Sequence, residues 1–152
     1  VAFTAPLIVR HQDDRHWVLD ARLPYDGRTQ EFIIPAGFTT DFASVPRPLF
    51  SVIPHTTGVL AAVLHDWFCV GLREGWCPVS AVDADRIFRR VLRECGVGFV
   101  TRNVMFVGVR WGALLNPHRR AGWWRDAPVV LGVSGGVLAA AWYAFSLVSG
   151  LL

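Results

Sequence analysis

Ser80-Ala81-Val82-Asp83-Ala84-Asp85-Arg86-Ile87-Phe88-Arg89-Arg90-Val91-Leu92-Arg93-Glu94-Cys95 is the stretch on which the fold turns. Ser80 followed three residues later by Asp83 has capping-box spacing, in which side-chain oxygens satisfy the backbone N–H groups that a helix start leaves unpaired. From that cap the residues sort onto two faces. Asp83, Arg86, Arg90 and Glu94 follow a polar edge, while Ala84, Ile87, Phe88, Val91, Leu92 and Cys95 follow an apolar one. Asp85 fits neither. It stands three and seven residues before Phe88 and Leu92, bordering the stripe that must be buried. A carboxylate there is costly unless a cation or a hydrogen-bond donor meets it, so this helix predicts a polar partner on another element.

The preceding segment offers one. Gly58-Val59-Leu60-Ala61-Ala62-Val63-Leu64-His65-Asp66-Trp67-Phe68 is apolar nearly throughout and then places an imidazole beside a carboxylate. Thr56 or Thr57 can cap this helix, which runs to about Val70. Adjacent helix positions diverge by about 100°, so His65 and Asp66 require separate partners. His65 and Asp85 are each expensive to bury alone, at about 1–3 kcal/mol per unpaired group, and are expected to hydrogen-bond across two packed helices. A catalytic pair would keep one His65 ring nitrogen facing a cleft; a structural pair would seal both. A third helix starts at Thr101 and ends at Asn116-Pro117. Within it, Gly108-Val109-Arg110-Trp111-Gly112 reads as a small-residue face for close packing.

Upstream, Leu7 to Arg10, His16 to Leu23 and Gln30 to Ile34 are short β-rich runs. They are separated by Asp13-Asp14 and by Tyr25-Asp26-Gly27, whose Asp-Gly is a hairpin signal. These runs predict a short N-terminal antiparallel β meander followed by a helical bundle, an α+β arrangement. Between strands and helices, Pro35 to Pro48 is too rich in Gly and Pro for a regular element and reads as an ordered loop. Its Gly37 to Pro46 part is expected to fold back on the His65 helix and bring Asp41 near His65 or Asp66.

The chain has 152 residues, 53% of them apolar and 18% charged, which is one domain's worth and excludes disorder. Three cysteines cannot build a disulfide scaffold. Cys69 and Cys77 bracket one loop and would pair only in an exported domain, leaving Cys95 over. The net charge of +3, from 15 basic residues that are all arginine against 12 acidic ones, is too thin an excess for a nucleic-acid partner. Asp126 is the last charged residue, so Ala127 to Leu152 is uncharged, and Val129 to Leu152 predicts a transmembrane helix. Trp123 and Trp124, with Arg119, Arg120 and Arg125, form the flank expected at a headgroup layer. The division is therefore a compact domain over residues 1–126 and a membrane helix over residues 127–152. One-sided arginines place the domain in the cytoplasm, and no secretory signal precedes it.

Three motifs together carry a resemblance: Pro35-Ala36-Gly37-Phe38-Thr39-Thr40-Asp41-Phe42-Ala43-Ser44-Val45-Pro46, then Ala61-Ala62-Val63-Leu64-His65-Asp66, then Ala84-Asp85-Arg86-Ile87-Phe88. Over roughly residues 15–115 the chain resembles domain-of-unknown-function family thirteen fifty-three, found largely in bacteriophages and prophages. The resemblance implies a phage origin and no established activity. The C-terminal span is an addition to the family's core.

The helical His-Asp pair followed by an Asp-x-x-Phe helix also resembles the two-helix active site of phospholipase A2. That resemblance implies His65 as general base for a water, Asp85 as the carboxylate orienting it, and Asp66 as a calcium ligand. The cysteine-flanked, glycine-rich calcium loop of those enzymes is absent, leaving Asp41 and the carbonyls around Gly37 to complete a calcium site. Ser44 and Ser51 lack a nucleophile-elbow context, and Cys69 and Cys77 with His65 or His118 have poor zinc spacing. The expected function is a membrane-anchored, phage-encoded hydrolase of lipid or other cell-envelope ester or amide bonds. Its partners would be host inner-membrane lipids. The alternatives are a non-catalytic virion or tail component, with phage tail or virion proteins as partners, and an accessory factor for lysis or superinfection exclusion.

Overall fold

The computed structural model describes residues 2–42 and 58–150. Five short strands come first: β1 (Val9–His11), β2 (Trp17–Leu19), β3 (Leu23–Asp26), β4 (Glu31–Ile34) and β5 (Thr39–Thr40). Four helices follow: α1 (Val59–Glu74), α2 (Ala81–Glu94), α3 (Phe99–Leu115) and α4 (Ala127–Ser149). This is the predicted α+β order of antiparallel strands and then helices. The strands do not form one continuous meander, however. β2 pairs with β1 and β5, while β3 pairs with β4 and bridges to Phe3 through Tyr25, giving two small sheets. The run read as His16 to Leu23 is thus two strands, broken at Asp20, whose amide turns back to the Ile8 carbonyl.

The β3–β4 hairpin turns where Asp26-Gly27 indicates, and a side chain at Gly27 would collide with the Gln30 carbonyl. Alternation along β4 buries Phe32 and Ile34 and exposes Glu31 and Ile33, so the hairpin presents one apolar face. That face meets the helices. Phe32 packs edge-on against Phe68 of α1, with ring centroids 5.1 Å apart, and Tyr25 donates its hydroxyl to Glu94 of α2 at 3.1 Å. Val63, Leu64, Phe88, Leu92, Met105 and Phe106 complete a core shared by both sheets and α1–α3.

Ser80 caps α2 as expected, accepting from the Asp83 amide at 3.2 Å, but the box does not close on the backbone. The Asp83 carboxylate takes the Ser80 hydroxyl itself at 2.7 Å. α1 runs four residues past Val70 and stops at Gly75, whose φ of 83° is the left-handed conformation that glycine reaches without a Cβ clash. Thr56 and Thr57 lie outside the described residues. α3 starts at Phe99, two residues before Thr101, with Gly98 rather than a side-chain oxygen at its N-cap. α4 starts at Ala127, two residues before Val129, with Pro128 in its first turn. Val130 is the one buried residue within α4. At 1.5 Å per residue, its 23 residues extend about 34 Å, enough to cross a hydrocarbon layer of about 30 Å.

Candidate functional site

α1, α2 and α3 each bring one ionisable side chain to a common point, and the connection to α4 brings a fourth. Asp85 is fully buried and its carboxylate takes three donors. His65 Nε2 at 2.7 Å and Arg119 Nη2 at 2.6 Å meet Oδ1, and Arg110 Nη1 at 2.8 Å meets Oδ2. An ionised carboxylate only accepts, so Nε2 carries its proton toward Asp85. Arg119 Nη2, 3.1 Å from Nε2, converges on the same oxygen. Arg110 Nε also lies 3.5 Å from Asp126 Oδ2, and Asp126 Oδ1 receives Arg86 Nη2 at 2.8 Å. Trp123 closes the end by donating its indole N–H to the Arg110 carbonyl at 2.6 Å. The network therefore runs from α1 to Asp126, the residue just ahead of α4.

Burial opposes the charged form of His65, but the Cys69 sulfur and the Asp85 carboxylate outweigh it and raise the histidine pKa to about 9. Burial also opposes ionisation of Asp85. His65, then Arg119 and Arg110, reverse that and hold its carboxyl below the ordinary carboxylate value. At neutral pH both groups are charged. Cys69 Sγ lies 3.8 Å from His65 Nδ1 and 3.9 Å from Nε2. Such near-equal distances place the sulfur off the Nδ1–H axis, which is poor alignment for proton transfer between ring and sulfur.

About 100° around α1, Asp66 accepts the Thr40 hydroxyl at 2.5 Å. Thr40 Oγ1 in turn accepts the Phe42 amide at 3.1 Å, and Phe42 has a left-handed φ of 53°. Exposed Asp41 lies between these two residues, at the β5 end of the contact with α1. The part of the Gly37 to Pro46 loop beyond Phe42, with Ser44 and Ser51, lies outside the described residues. Among the described residues, no three His, Cys, Asp or Glu side chains form a group that could hold a metal ion. Cys69, Cys77 and Cys95 are all free thiols.

Sequence reasoning paired His65 with Asp85 and allowed Asp85 an arginine partner, but did not identify Arg110 or Arg119 as that partner. Arg110 had a readable signal, because it interrupts the apolar run Val107-Gly108-Val109-Arg110-Trp111 just as Asp85 interrupts its own stripe. Two opposite charges on apolar helix faces are natural partners. Arg119 sits in an irregular connection, where no periodicity points its side chain anywhere. Thr40 and Cys69 likewise had no distinguishing pattern.

A short-stranded α+β domain with a buried ion network leading into a membrane-length apolar helix is the class this architecture defines. Residues 17–109 match the family described as protein of unknown function (DUF1353), and the chain belongs to it. No curated protein and no solved structure matches the chain.

Proposed function

We propose that the chain is a membrane-anchored, non-catalytic domain whose buried ion network fixes the α+β fold to its span. The sealing of His65 carries this reading. The residue is 2% exposed, bears a proton at neutral pH, and bonds to a carboxylate already shared with two arginines. A general base needs a free lone pair within reach of water, and His65 presents a cation to a closed interior. The network's reach supplies the role, since Asp85 joins α1, α2, α3 and Arg119 while Asp126 joins the start of α4 to Arg86 and Arg110. Arginines on the N-terminal side of α4 favour a cytoplasmic domain. The family resemblance adds a setting: a phage-encoded protein in the host inner membrane or the virion, with tail or virion proteins as neighbours.

His65→Gln tests the reading. It should lower the stability of the full chain in detergent by about 2–4 kcal/mol in denaturant unfolding, because it removes the charged donor from a buried carboxylate. Liposome flotation should be unchanged. A His65→Gln chain as stable as the parent would overturn it.

A second reading has its own observation, the contact of a thiol and a carboxylate with one imidazole. In that reading the protein hydrolyses lipid or other envelope ester or amide bonds, with His65 as base, Asp85 orienting it, and calcium at Asp66 and Asp41. Turnover of a phospholipid or envelope ester by the parent chain, lost in a folded His65→Gln chain and dependent on calcium, would decide for it.

A further inference from the structure

One face of α2 carries four arginines, of which the buried network uses only Arg86. Arg86, Arg89, Arg90 and Arg93 of α2 join Arg28 of the β3–β4 turn and Arg102 of α3 around one open cavity of about 650 Å³. Two acids line it: Asp126 is paired with Arg86 and Arg110, and Asp83 accepts the neutral Ser80 hydroxyl and keeps its charge. Arg90 is held by Glu94 at 3.5 Å. Arg89 and Arg102 make no ion pair among the described residues; their guanidiniums lie over the rings of Phe106 and Phe99, at 5.0 and 5.1 Å. Exposed Arg28 and Arg93 enter no ion pair among the described residues either. Four guanidinium groups thus line one concavity without an ion-pair partner, against the single carboxylate there that no arginine holds, Asp83, while Phe32, Ile87 and Phe106 in its walls lower the local dielectric and strengthen the net attraction for an anion.

The location specifies the anion. Asp126 and Val129, at the first turn of α4, line the same cavity, and Trp123 and Trp124 immediately precede them. If α4 spans the bilayer, as the proposed function holds, the cavity opens at headgroup depth. The planar guanidinium fork matches phosphate oxygens in geometry and charge. We infer that this arginine-lined cavity binds a phosphate group, supplied in the membrane by the headgroup of an acidic phospholipid.

The test uses the full chain in two settings. In neutral detergent, inorganic phosphate is compared with chloride at equal ionic strength; in nanodiscs, pure phosphatidylcholine is compared with phosphatidylcholine containing phosphatidylglycerol. Thermal unfolding is the readout, and flotation separately reports insertion. The expected result is a Tm raised by phosphatidylglycerol. In Arg28→Gln/Arg93→Gln, whose two sites are exposed, apparent affinity should fall roughly thirtyfold. A rise with free phosphate and no further rise with phosphatidylglycerol would retain the phosphate site and assign it a soluble ligand. A chain that fails to float but responds to phosphate would sink the membrane reading and leave the site standing. No response to either anion, or a double variant responding like the parent, would overturn the inference.

Discussion

α1 from Val59 to Leu64 and α4 along its whole length are free of charge, yet their surroundings are opposite. α1 buries Ala61 through His65 and Phe68 under two sheets and two helices, whereas α4 buries Val130 and exposes Leu138, Trp142, Tyr143 and Phe145. Apolar composition alone does not separate an interior helix from a membrane one. The separating feature is the polar exception. α1 carries His65 and Asp66, each with a partner from another element, and α4 carries no ionisable residue other than Tyr143. A helix that brings charge into an interior needs neighbours to answer it, while a helix that brings none can be solvated by lipid.

The strongest way to break this contrast is to remove the answering charge. Asp85→Ala would leave His65, Arg110 and Arg119 buried without their carboxylate, and should cost about 3–5 kcal/mol in denaturant unfolding of the full chain. A loss below about 1 kcal/mol would mean that water already answers those cations.

Leu138→Arg probes the other side. Leu138 is 70% exposed, so the folded domain should keep its unfolding midpoint, but insertion should become less favourable by about 2.5–3.5 kcal/mol. Flotation of the variant alongside the parent checks this. Undiminished flotation would show that α4 is not the membrane contact.

The smallest expected effect comes from pH and belongs to the α1 end alone. The folded pKa of His65 stands above its ordinary 6.5, so its contribution is complete below about 6.5 and is lost as pH rises through about 9, an effect of about 2–3 kcal/mol. Asp85 runs the other way: its folded pKa lies below 3.8, so its contribution is present above about 4 and lost as pH falls further. Stability should therefore be flat from about pH 4 to 6.5 and decline on both sides. A midpoint constant from pH 6 to 9.5 would mean that His65 is neutral in the fold.

Local signals carried much of this architecture. The Ser80 cap, the Asp26-Gly27 turn, the strand-then-helix order and the charge-free run after Asp126 are each visible within a few residues, and each marks an observed element. The His65–Asp85 contact was legible for another reason. Each residue violates the pattern of its own helix, and two violations of compatible chemistry imply one another. What stayed hidden depends on distant pairing. The partition of β2 and β3 into different sheets rests on β5 returning to β2, which nothing within His16 to Leu23 announces. Arg119 reaches Asp85 because the chain after Leu115 turns back over the domain, with the Arg119 and Arg120 amides bonded to the Asn116 carbonyl at 3.0 and 2.9 Å. The cavity arginines come from three separate elements, and a thin overall charge excess conceals how closely they gather.

The position of Asp126 has a mechanical meaning. It is the last residue before α4 and is held at 10% side-chain exposure between Arg86 of α2 and Arg110 of α3. A glycine or serine hinge there would let the helix swivel beneath its domain; a carboxylate bonded to Arg86 and drawn toward Arg110 resists that swivel. If α4 spans a bilayer, its length, slightly greater than a typical hydrocarbon layer, would make it lean in thinner ones. In that case the lean would pass through the Asp126 joint to the whole domain, and the thickness of the surrounding lipid would set the angle at which the domain stands.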